Sequence, residues 1–279
     1  MARPAQQPLL KPRPDLIFIG SEKGGVGKSF VTSLCVDLLD VVGVAARIVQ
    51  IDDQERLPTL YPGRVTTVPT PKLADLRRDP GVIVSTFDPL FSAIEQTVSD
   101  KVPTVIDIGG PQQSLVEQYC SLVDLDEELT HAGLNTIWLV PTTAEPESMR
   151  GAVRTATAVR RVLPGVTNRL ILNLRDGLFH FYPGAPADLL WREQLLPLGK
   201  ATGAIELPAI APGSWQPCEA AGQRFLDIIA ADVANIQALT GRSRPMAKVL
   251  RGDIAAFMAA ANHSLGPAIG VDIGGANDH

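Results

Sequence analysis

The residues with the clearest chemical character lie in one short segment, SEKGGVGKSF, at residues 21–30. Its glycines let the backbone turn N–H groups toward phosphate oxygens, and a helix beginning there would add positive potential. Lys28 would neutralise charge on the β- and γ-phosphates of a nucleotide, and the Ser29 hydroxyl would coordinate Mg²⁺. The predicted phosphate-binding residues are Gly24, Gly25, Val26, Gly27, Lys28, Ser29 and Phe30.

The front of this loop departs from the usual phosphate-binding pattern. The pattern GxxxxGK[ST] requires a glycine at position 22, where this chain has Glu22, and Lys23 adds a second lysine. The variant KGGVGKS resembles the deviant Walker A motif of the ParA/MinD family of ATPases, whose signature is the leading lysine. In that family two nucleotide-bound subunits face each other, and the signature lysine reaches the partner's phosphates. The resemblance therefore implies ATP as ligand, a homodimer formed on ATP binding, and a catalytic Lys23 acting in trans.

A second segment of the resemblance is RIVQIDDQ, which is similar to the family's sequence after its second strand. Asp52 matches the family's second aspartate, which lies near the attacking water, so the resemblance implies a catalytic role for it. Gln54 matches the family's glutamine, whereas Asp53 replaces a proline. Gln50 stands where the family's first aspartate is usual. Because an amide supplies no negative charge to the Mg²⁺ shell, we expect altered metal affinity or turnover.

Three more assignments follow from the same resemblance. TVIDIGGP resembles the Walker B and second switch segment, in which Asp107 would hold a Mg²⁺-bound water beside Ser29. LILNLRDG resembles the strand that carries an adenine-reading asparagine, here Asn173, because an amide pairs a donor and an acceptor with the base edge. The loop after IELPAIAPG would line the base, with Pro208 as a contact.

These motifs require elements that bring strand ends together. Apolar runs typical of strands buried on both faces alternate with helical patterns, which predicts an α/β fold with a doubly wound, mostly parallel sheet. The resemblance agrees with a P-loop NTPase of the SIMIBI type. Strands are predicted at 15–20, 45–52, 102–109, 135–143, 168–174 and 204–210. Helices are predicted after the loop, from EPESMRG to about Leu163, from Cys218 to Leu239 and over 245–265. The region 53–100 is predicted to be a loop-and-helix insertion between two strands, and 176–200 a similarly irregular segment that ends in a short helix.

Bulk composition limits the organisation and the partners. The chain has 279 residues, 45% of them hydrophobic, and a formal net charge of −5, so it has no global basic field to hold nucleic acid. We expect one domain at 15–265, a disordered arm at 1–14 and a flexible tail at 266–279. Cys35, Cys120 and Cys218 form no CxxC pair and are expected to be reduced core residues. No apolar stretch approaches the ~20 residues of a membrane span, so we expect a cytoplasmic protein, with nucleoid association as an alternative.

A local basic patch is the remaining candidate for a DNA or partner contact. At ~100° per residue, Arg150, Arg154 and Arg161 share one helical face, while Ala152, Ala156, Val159 and Leu163 cluster opposite. That face is either an ordinary solvated surface or a site for DNA phosphates or an acidic partner. Lys248 and Arg251 mark the last helix as a second candidate, with core packing or dimer support favoured over membrane binding.

The leading function is a dimerising ATPase switch of ParA type, with slow, partner-stimulated hydrolysis. Its expected setting is plasmid or chromosome partition, replicon maintenance or conjugative mobilisation, with DNA or a DNA-bound adaptor as partner. One alternative is an ATP-dependent small-molecule synthetase of the same superfamily, although the dethiobiotin type normally lacks a lysine matching Lys23. A nitrogenase-type iron–sulfur reductase is disfavoured because its bridging cysteines have no good counterpart. A nucleotide-gated adaptor with little hydrolysis stays open because of Gln50.

Overall fold

The structure, a computed structural model, describes residues 12–71, 79 and 81–271. Its centre is a sheet of seven strands in the order β3-β2-β4-β1-β5-β6-β7, and every neighbouring pair is parallel. The strands are β1 Leu16–Ile19, β2 Arg47–Ile51, β3 Val65–Thr67, β4 Thr104–Ile108, β5 Thr136–Thr142, β6 Thr167–Asn173 and β7 Ala204–Leu207. The predicted doubly wound parallel sheet is confirmed.

Helices cover both faces of this sheet. They are α1 Lys28–Val41, α2 Arg56–Leu60, α3 Val82–Thr86, α4 Asp88–Asp100, α5 Gln113–Leu122, α6 Leu125–His131, α7 Pro146–Val162, α8 Pro186–Leu190, α9 Leu196–Thr202, α10 Pro212–Ala220, α11 Phe225–Ala230, α12 Val233–Thr240 and α13 Arg244–Leu265. One apolar core lies under α1 and α10 to α13, and the other under α4 to α8. In β1, Ile17 and Ile19 face the first core while Leu16 and Phe18 face the second, which explains its unbroken apolar run.

All six predicted strands are present, and α7 and α13 match the helices predicted from Glu145 to about Leu163 and over 245–265. The sequence reading missed β3, because this strand has only three residues and two of them are exposed. The single helix predicted from Cys218 to Leu239 is wrong. Gly222, at φ +63°, interrupts it, and Asp232 caps a new helix by accepting a 2.8 Å hydrogen bond from the backbone N–H of Asn235.

The C-terminal helix is followed by residues that pack onto the domain. Gly266–Ala268 form a 3₁₀ turn, and Ile269 and Val271 are buried. Gly270 has φ +68°, and a Cβ there would lie 2.4 Å from the Cα of Arg13, so the two ends of the described chain meet. Residues 266–271 therefore continue the packed domain past the predicted boundary at 265. Most of the predicted arm and tail, at 1–11 and 272–279, lies outside the described residues.

The three cysteines are core residues, as predicted. Cys35, Cys120 and Cys218 are free and buried. Burial raises the pKa of Cys35 and of Cys120 to about 12, which keeps both thiols protonated and unreactive. None of the helices in the described ranges has the length and apolar character needed to cross a bilayer.

A buried ionic network anchors α1, the helix that begins at Lys28. Asp37 is fully buried and accepts hydrogen bonds from Arg224, at 2.6 and 2.9 Å, and from the Tyr61 hydroxyl at 2.9 Å. The Arg224 guanidinium also bonds Asp40 at 2.5 Å and lies 4.5 Å from the centre of the Tyr61 ring. Burial raises the pKa of Asp37, and the charge of Arg224 opposes that rise. The network thus joins α1 to α2 and α11.

Arg224→Ala is expected to lower the free energy of unfolding by about 3 kcal/mol, because it leaves a buried carboxylate without its cation. Urea unfolding followed by circular dichroism measures the loss as a shift in midpoint at constant slope. Arg150→Ala is the control: this arginine pairs with the exposed Glu147, so its removal should cost less than about 1 kcal/mol. Equal losses in the two variants would contradict the anchoring role of the network.

Candidate functional site

The loop between β1 and α1 forms an open cradle at the carboxyl edge of the sheet. Gly25 and Gly27 have φ of +77° and +93°, in the left-handed region that favours glycine. A Cβ added at Gly24 or Gly25 would meet nothing within 4 Å, so these glycines border open space. Gly27 faces the other way, and a Cβ there would lie 2.6 Å from Nδ2 of Asn173. The loop therefore exposes backbone on one side and packs tightly on the other.

Lys28 supplies the positive charge of this cradle. Its side chain is only 8% exposed, and Nζ donates a 2.9 Å hydrogen bond to the backbone oxygen of Lys23, across the loop. Burial lowers the pKa of Lys28, and the carboxylates of Asp107 and Asp52 oppose that effect. The ammonium is thus held inside the loop, close to two carboxylates and to the glycines that border open space.

Asp107, at the end of β4, meets the first turn of α1. Its carboxylate is 2% exposed and accepts 2.8 Å hydrogen bonds from the hydroxyls of Ser29 and Thr32. Burial raises the pKa of Asp107, while those two hydroxyls and Lys28 lower it. Mg²⁺ prefers such oxygen ligands, so Ser29 and Asp107 fit the predicted metal role. Thr32 was not predicted from the sequence. Its position could have been inferred, because residues three apart on a helix, such as Ser29 and Thr32, lie on the same face.

Asp52 lies in the turn after β2 and lines the same pocket as the glycine loop. Its Oδ1 accepts a 2.8 Å bond from the backbone N–H of Asp53, and its Oδ2 accepts a 3.1 Å bond from Nε2 of Gln54. A Cβ on Gly109 would lie 2.9 Å from the Asp52 carboxyl carbon, so this approach requires glycine. The structure therefore brings Asp52, Asp107 and Lys28 together around one space.

That space is a pocket of about 580 Å³ that extends from the glycine loop to β6, β7 and α10. Asn173 and Pro208, the predicted base contacts, line it together with Phe30. Asn173 also supports the loop, because its Nδ2 donates to the Val26 oxygen at 3.1 Å and its Oδ1 accepts from the Arg175 N–H at 3.2 Å. The remaining wall includes residues that the sequence analysis did not single out, among them Arg56, Ile210, Trp215 and Glu219.

Lys23 is placed differently from the rest of the loop. Its side chain is exposed, and it is not among the described residues that line the pocket, although its carbonyl receives Lys28. Its neighbours are held against α7: the Glu22 N–H donates to Thr155 at 3.2 Å, and Glu22 pairs with Arg154 at 2.6 Å. Gly151 of α7 lies next to this lysine: a Cβ added there would be in van der Waals contact with the Lys23 Cβ, at 3.4 Å.

The arginine face of α7 points outward, as predicted, and its apolar stripe Ala152, Ala156, Val159 and Leu163 is buried. Each arginine lies near an acidic residue of the same chain. Arg150 pairs with Glu147, and Arg154 pairs with Glu22. Burial raises the pKa of Glu117, and the charge of Arg161 opposes that rise. Local acids thus offset part of the positive charge, and a DNA or partner contact at this face stays a prediction.

The parallel sheet, the glycine loop between its first strand and first helix, and the lysine, serine and carboxylate around that loop define a P-loop nucleotide-binding fold. No protein-family model matches the sequence, and no curated protein matches it.

Solved structures with similar architecture include the MinD cell division protein of Aquifex aeolicus, at 14% identity and a TM-score of 0.44, covering 88% of this chain and 96% of that one. An ATP complex of a Cyanothece McdA variant has 12% identity and a TM-score of 0.43, with 90% and 97% covered. The septum site-determining protein MinD of Pyrococcus horikoshii OT3, with Mg-ADP, has 14% identity and a TM-score of 0.44, with 89% and 94% covered.

Proposed function

We propose that this protein is an ATPase switch that dimerises when it binds ATP. The observation that carries the proposal is the convergence of Lys28, Ser29, Asp107 and Asp52 on one pocket. These residues come from the ends of two strands, β2 and β4, and from the start of α1. A buried cation, an oxygen donor set for Mg²⁺ and a separate carboxylate are what phosphoryl transfer from a nucleotide requires.

Each group has a distinct task in this proposal. The N–H groups of residues 24–30 bind phosphate oxygens, and Lys28 neutralises charge on the β- and γ-phosphates. Ser29 and Asp107 hold Mg²⁺, which neutralises further phosphate charge when bound. Asp52 orients the attacking water from the turn after β2. Asn173 and Pro208 border the base, where the Asn173 amide retains one donor and one acceptor position beyond its two bonds within the chain.

The position of Lys23 supports the dimer. A lysine at the mouth of the loop, exposed and outside the pocket of its own chain, is available to a second chain placed face to face with the first. A cation supplied across that interface would stabilise the charge that develops during phosphoryl transfer. Hydrolysis would then depend on association, which is the behaviour of a switch.

The setting that we propose is the positioning or partition of DNA, with DNA or a DNA-bound adaptor as partner and cytoplasmic location. The arginines of α7 are the predicted contact. A nucleotide-gated adaptor that hydrolyses little ATP is the second candidate, and the observation that favours it is Gln50, which removes one carboxylate from the neighbourhood of Asp107.

The test measures ATP turnover with and without duplex DNA, alongside sedimentation of the full chain in ATP, ADP or no nucleotide. The ATPase switch predicts slow turnover that requires Mg²⁺ and rises when DNA or the DNA-bound partner is added. It also predicts a dimer in ATP but not in ADP or without nucleotide. A dimer that forms in ATP without measurable turnover would favour the second candidate, a nucleotide-gated adaptor that hydrolyses little ATP. A sedimentation coefficient that is the same in all three conditions, with no nucleotide bound, would rule out both.

A further inference from the structure

Gln50 lies beneath the turn that carries Asp52. It is the next-to-last residue of β2, its side chain is 1% exposed, and it is the register partner of Asp107 on the neighbouring strand β4. Partners on adjacent parallel strands send their side chains to the same face of a sheet. An amide therefore sits beside the metal-binding carboxylate, at the position where the resemblance implies a second acid.

The Gln50 amide is committed to the backbone of this turn. Its Nε2 donates to the carbonyl oxygen of Asp52 at 3.1 Å and to the carbonyl oxygen of Gln54. Those two residues also join each other, since the Gln54 amide donates to the Asp52 carboxylate at 3.1 Å. Side-chain hydrogen bonds from Gln50, beneath the turn, and from Gln54, within it, thus hold the turn together. An aspartate or glutamate at position 50 could accept hydrogen bonds but could not donate either of these when ionised.

The charges around the turn favour a neutral residue at this position. Two carboxylates, Asp107 and Asp52, already line the pocket next to this position. A third carboxylate at position 50 would repel both acids and would face the two backbone oxygens without a proton to share. The amide removes that repulsion and supplies the donors at the same time.

Gln50 does not contact the nucleotide space directly. Asp52, Gln54 and Asp107 line the pocket, whereas Gln50 is not among the lining residues of the described chain. Its Oε1 is buried and has no hydrogen-bond partner within the described residues. Burying this acceptor without a partner costs free energy. The two hydrogen bonds that Nε2 donates are the stabilising contribution that offsets this cost.

We propose that Gln50 is a positioning residue: its amide fixes the turn at Asp52–Gln54 and so places the Asp52 carboxylate, without entering the Mg²⁺ shell. This inference rests on the proposed ATPase function, because Asp52 acts on water only in that reaction. The glutamine that stands where the resemblance implies an aspartate would then hold the turn in place, and its effect would be more than the loss of one negative charge.

Two variants separate positioning from metal binding. Gln50→Met keeps the length of the side chain and removes the donors; Gln50→Glu removes the donors and adds the charge. Both are expected to lower kcat about tenfold or more, since a small misplacement of a catalytic group has that effect, while Gln50→Met, which adds no charge beside Asp107, keeps KM for ATP and the Mg²⁺ requirement within about twofold. Turnover of Gln50→Glu at or above the wild-type rate, with a lower Mg²⁺ requirement, would overturn the proposal.

The matched control is Asn168→Leu. Asn168 is also a buried strand amide: it is 5% exposed, its Nδ2 donates to the Ala156 oxygen at 3.0 Å, and its Oδ1 has no partner in the part of the chain that the structure describes. It lies away from the pocket lining, so this variant should lose stability but keep kcat. An equal fall in kcat for Asn168→Leu would show that Gln50 acts only through general stability.

Hydrogen exchange gives a readout that needs no catalysis. Backbone amides of residues 51–56 are expected to exchange faster in both Gln50 variants, with β4 unchanged and with wild-type exchange at 51–56 in Asn168→Leu. Unchanged exchange at 51–56 would overturn the positioning role. If the wild-type protein proved unable to hydrolyse ATP, the proposed function would fail, and the exchange data would still decide whether Gln50 holds the turn.

Discussion

Lys28→Ala is expected to weaken Mg-ATP binding by at least about 100-fold, which corresponds to about 3 kcal/mol for a charge-assisted contact to phosphate. The structure explains the size of the effect. The ammonium is held inside the glycine loop by the Lys23 carbonyl at 2.9 Å, so the protein has fixed it before any ligand arrives. Its loss would also leave the Asp107 and Asp52 carboxylates uncompensated beside incoming phosphates.

Isothermal titration calorimetry with Mg-ATP measures this change. Lys248→Ala is a suitable control, because that lysine is exposed on α13 and far along the chain from the loop. Lys28→Met is a useful second variant, since it retains most of the buried side chain and limits damage to packing. Thermal melts of all three proteins separate lost binding from lost folding. An affinity of Lys28→Ala or Lys28→Met within threefold of wild type would contradict the phosphate role.

The phosphate loop was predictable because its residues are consecutive, so their spacing along the chain already determines their arrangement. Asp52 and Asp107 were predictable for a related reason: parallel strands end at the same edge of a sheet, and both residues follow or end apolar runs. Thr32 required one further step, the recognition that it shares a helical face with Ser29. Each of these residues is either close to the loop along the chain or placed beside it by the regular spacing of the parallel strands.

The far wall of the pocket was not predictable in this way. Arg56 and Glu219 form an ion pair there although they are 163 residues apart, and neither belongs to a motif. Their meeting depends on how α10 packs against the first core, in which Trp215 stacks on Phe225 at 4.3 Å. The strand β3 was not predicted for a different reason. It pairs with β2 through backbone hydrogen bonds, and its three residues, Val65–Thr67, include only one apolar side chain.

Lys23→Ala is expected to leave ATP binding by a single chain nearly unchanged but to lower turnover by about a hundredfold or more, as loss of a cation supplied in trans does. The expectation follows from the exposure of Lys23 and its place outside its own pocket. Sedimentation in ATP is expected to show less dimer than wild type. The side-chain change leaves the Lys23 carbonyl in place, so the bond that it accepts from Lys28 is retained. Lys101→Ala, at another exposed lysine, should match the wild type in both measurements.

Mixing two inactive variants decides whether Lys23 acts in trans. Lys23→Ala retains Asp52 and lacks the cation proposed to act in trans, whereas Asp52→Ala retains Lys23 and lacks the carboxylate proposed to orient water. A mixed dimer would contain one complete site, made of Asp52 from the first chain and Lys23 from the second. If the two variants dimerise equally, random mixing of equal amounts should therefore restore about a quarter of wild-type turnover, because half of the dimers are mixed and each has one complete site; weaker dimerisation of Lys23→Ala lowers that fraction. If Lys23 acted within its own chain, neither site of the mixed dimer would be complete. Turnover that stays at the level of the separate variants, despite sedimentation evidence for mixed dimers, would therefore reject the trans assignment.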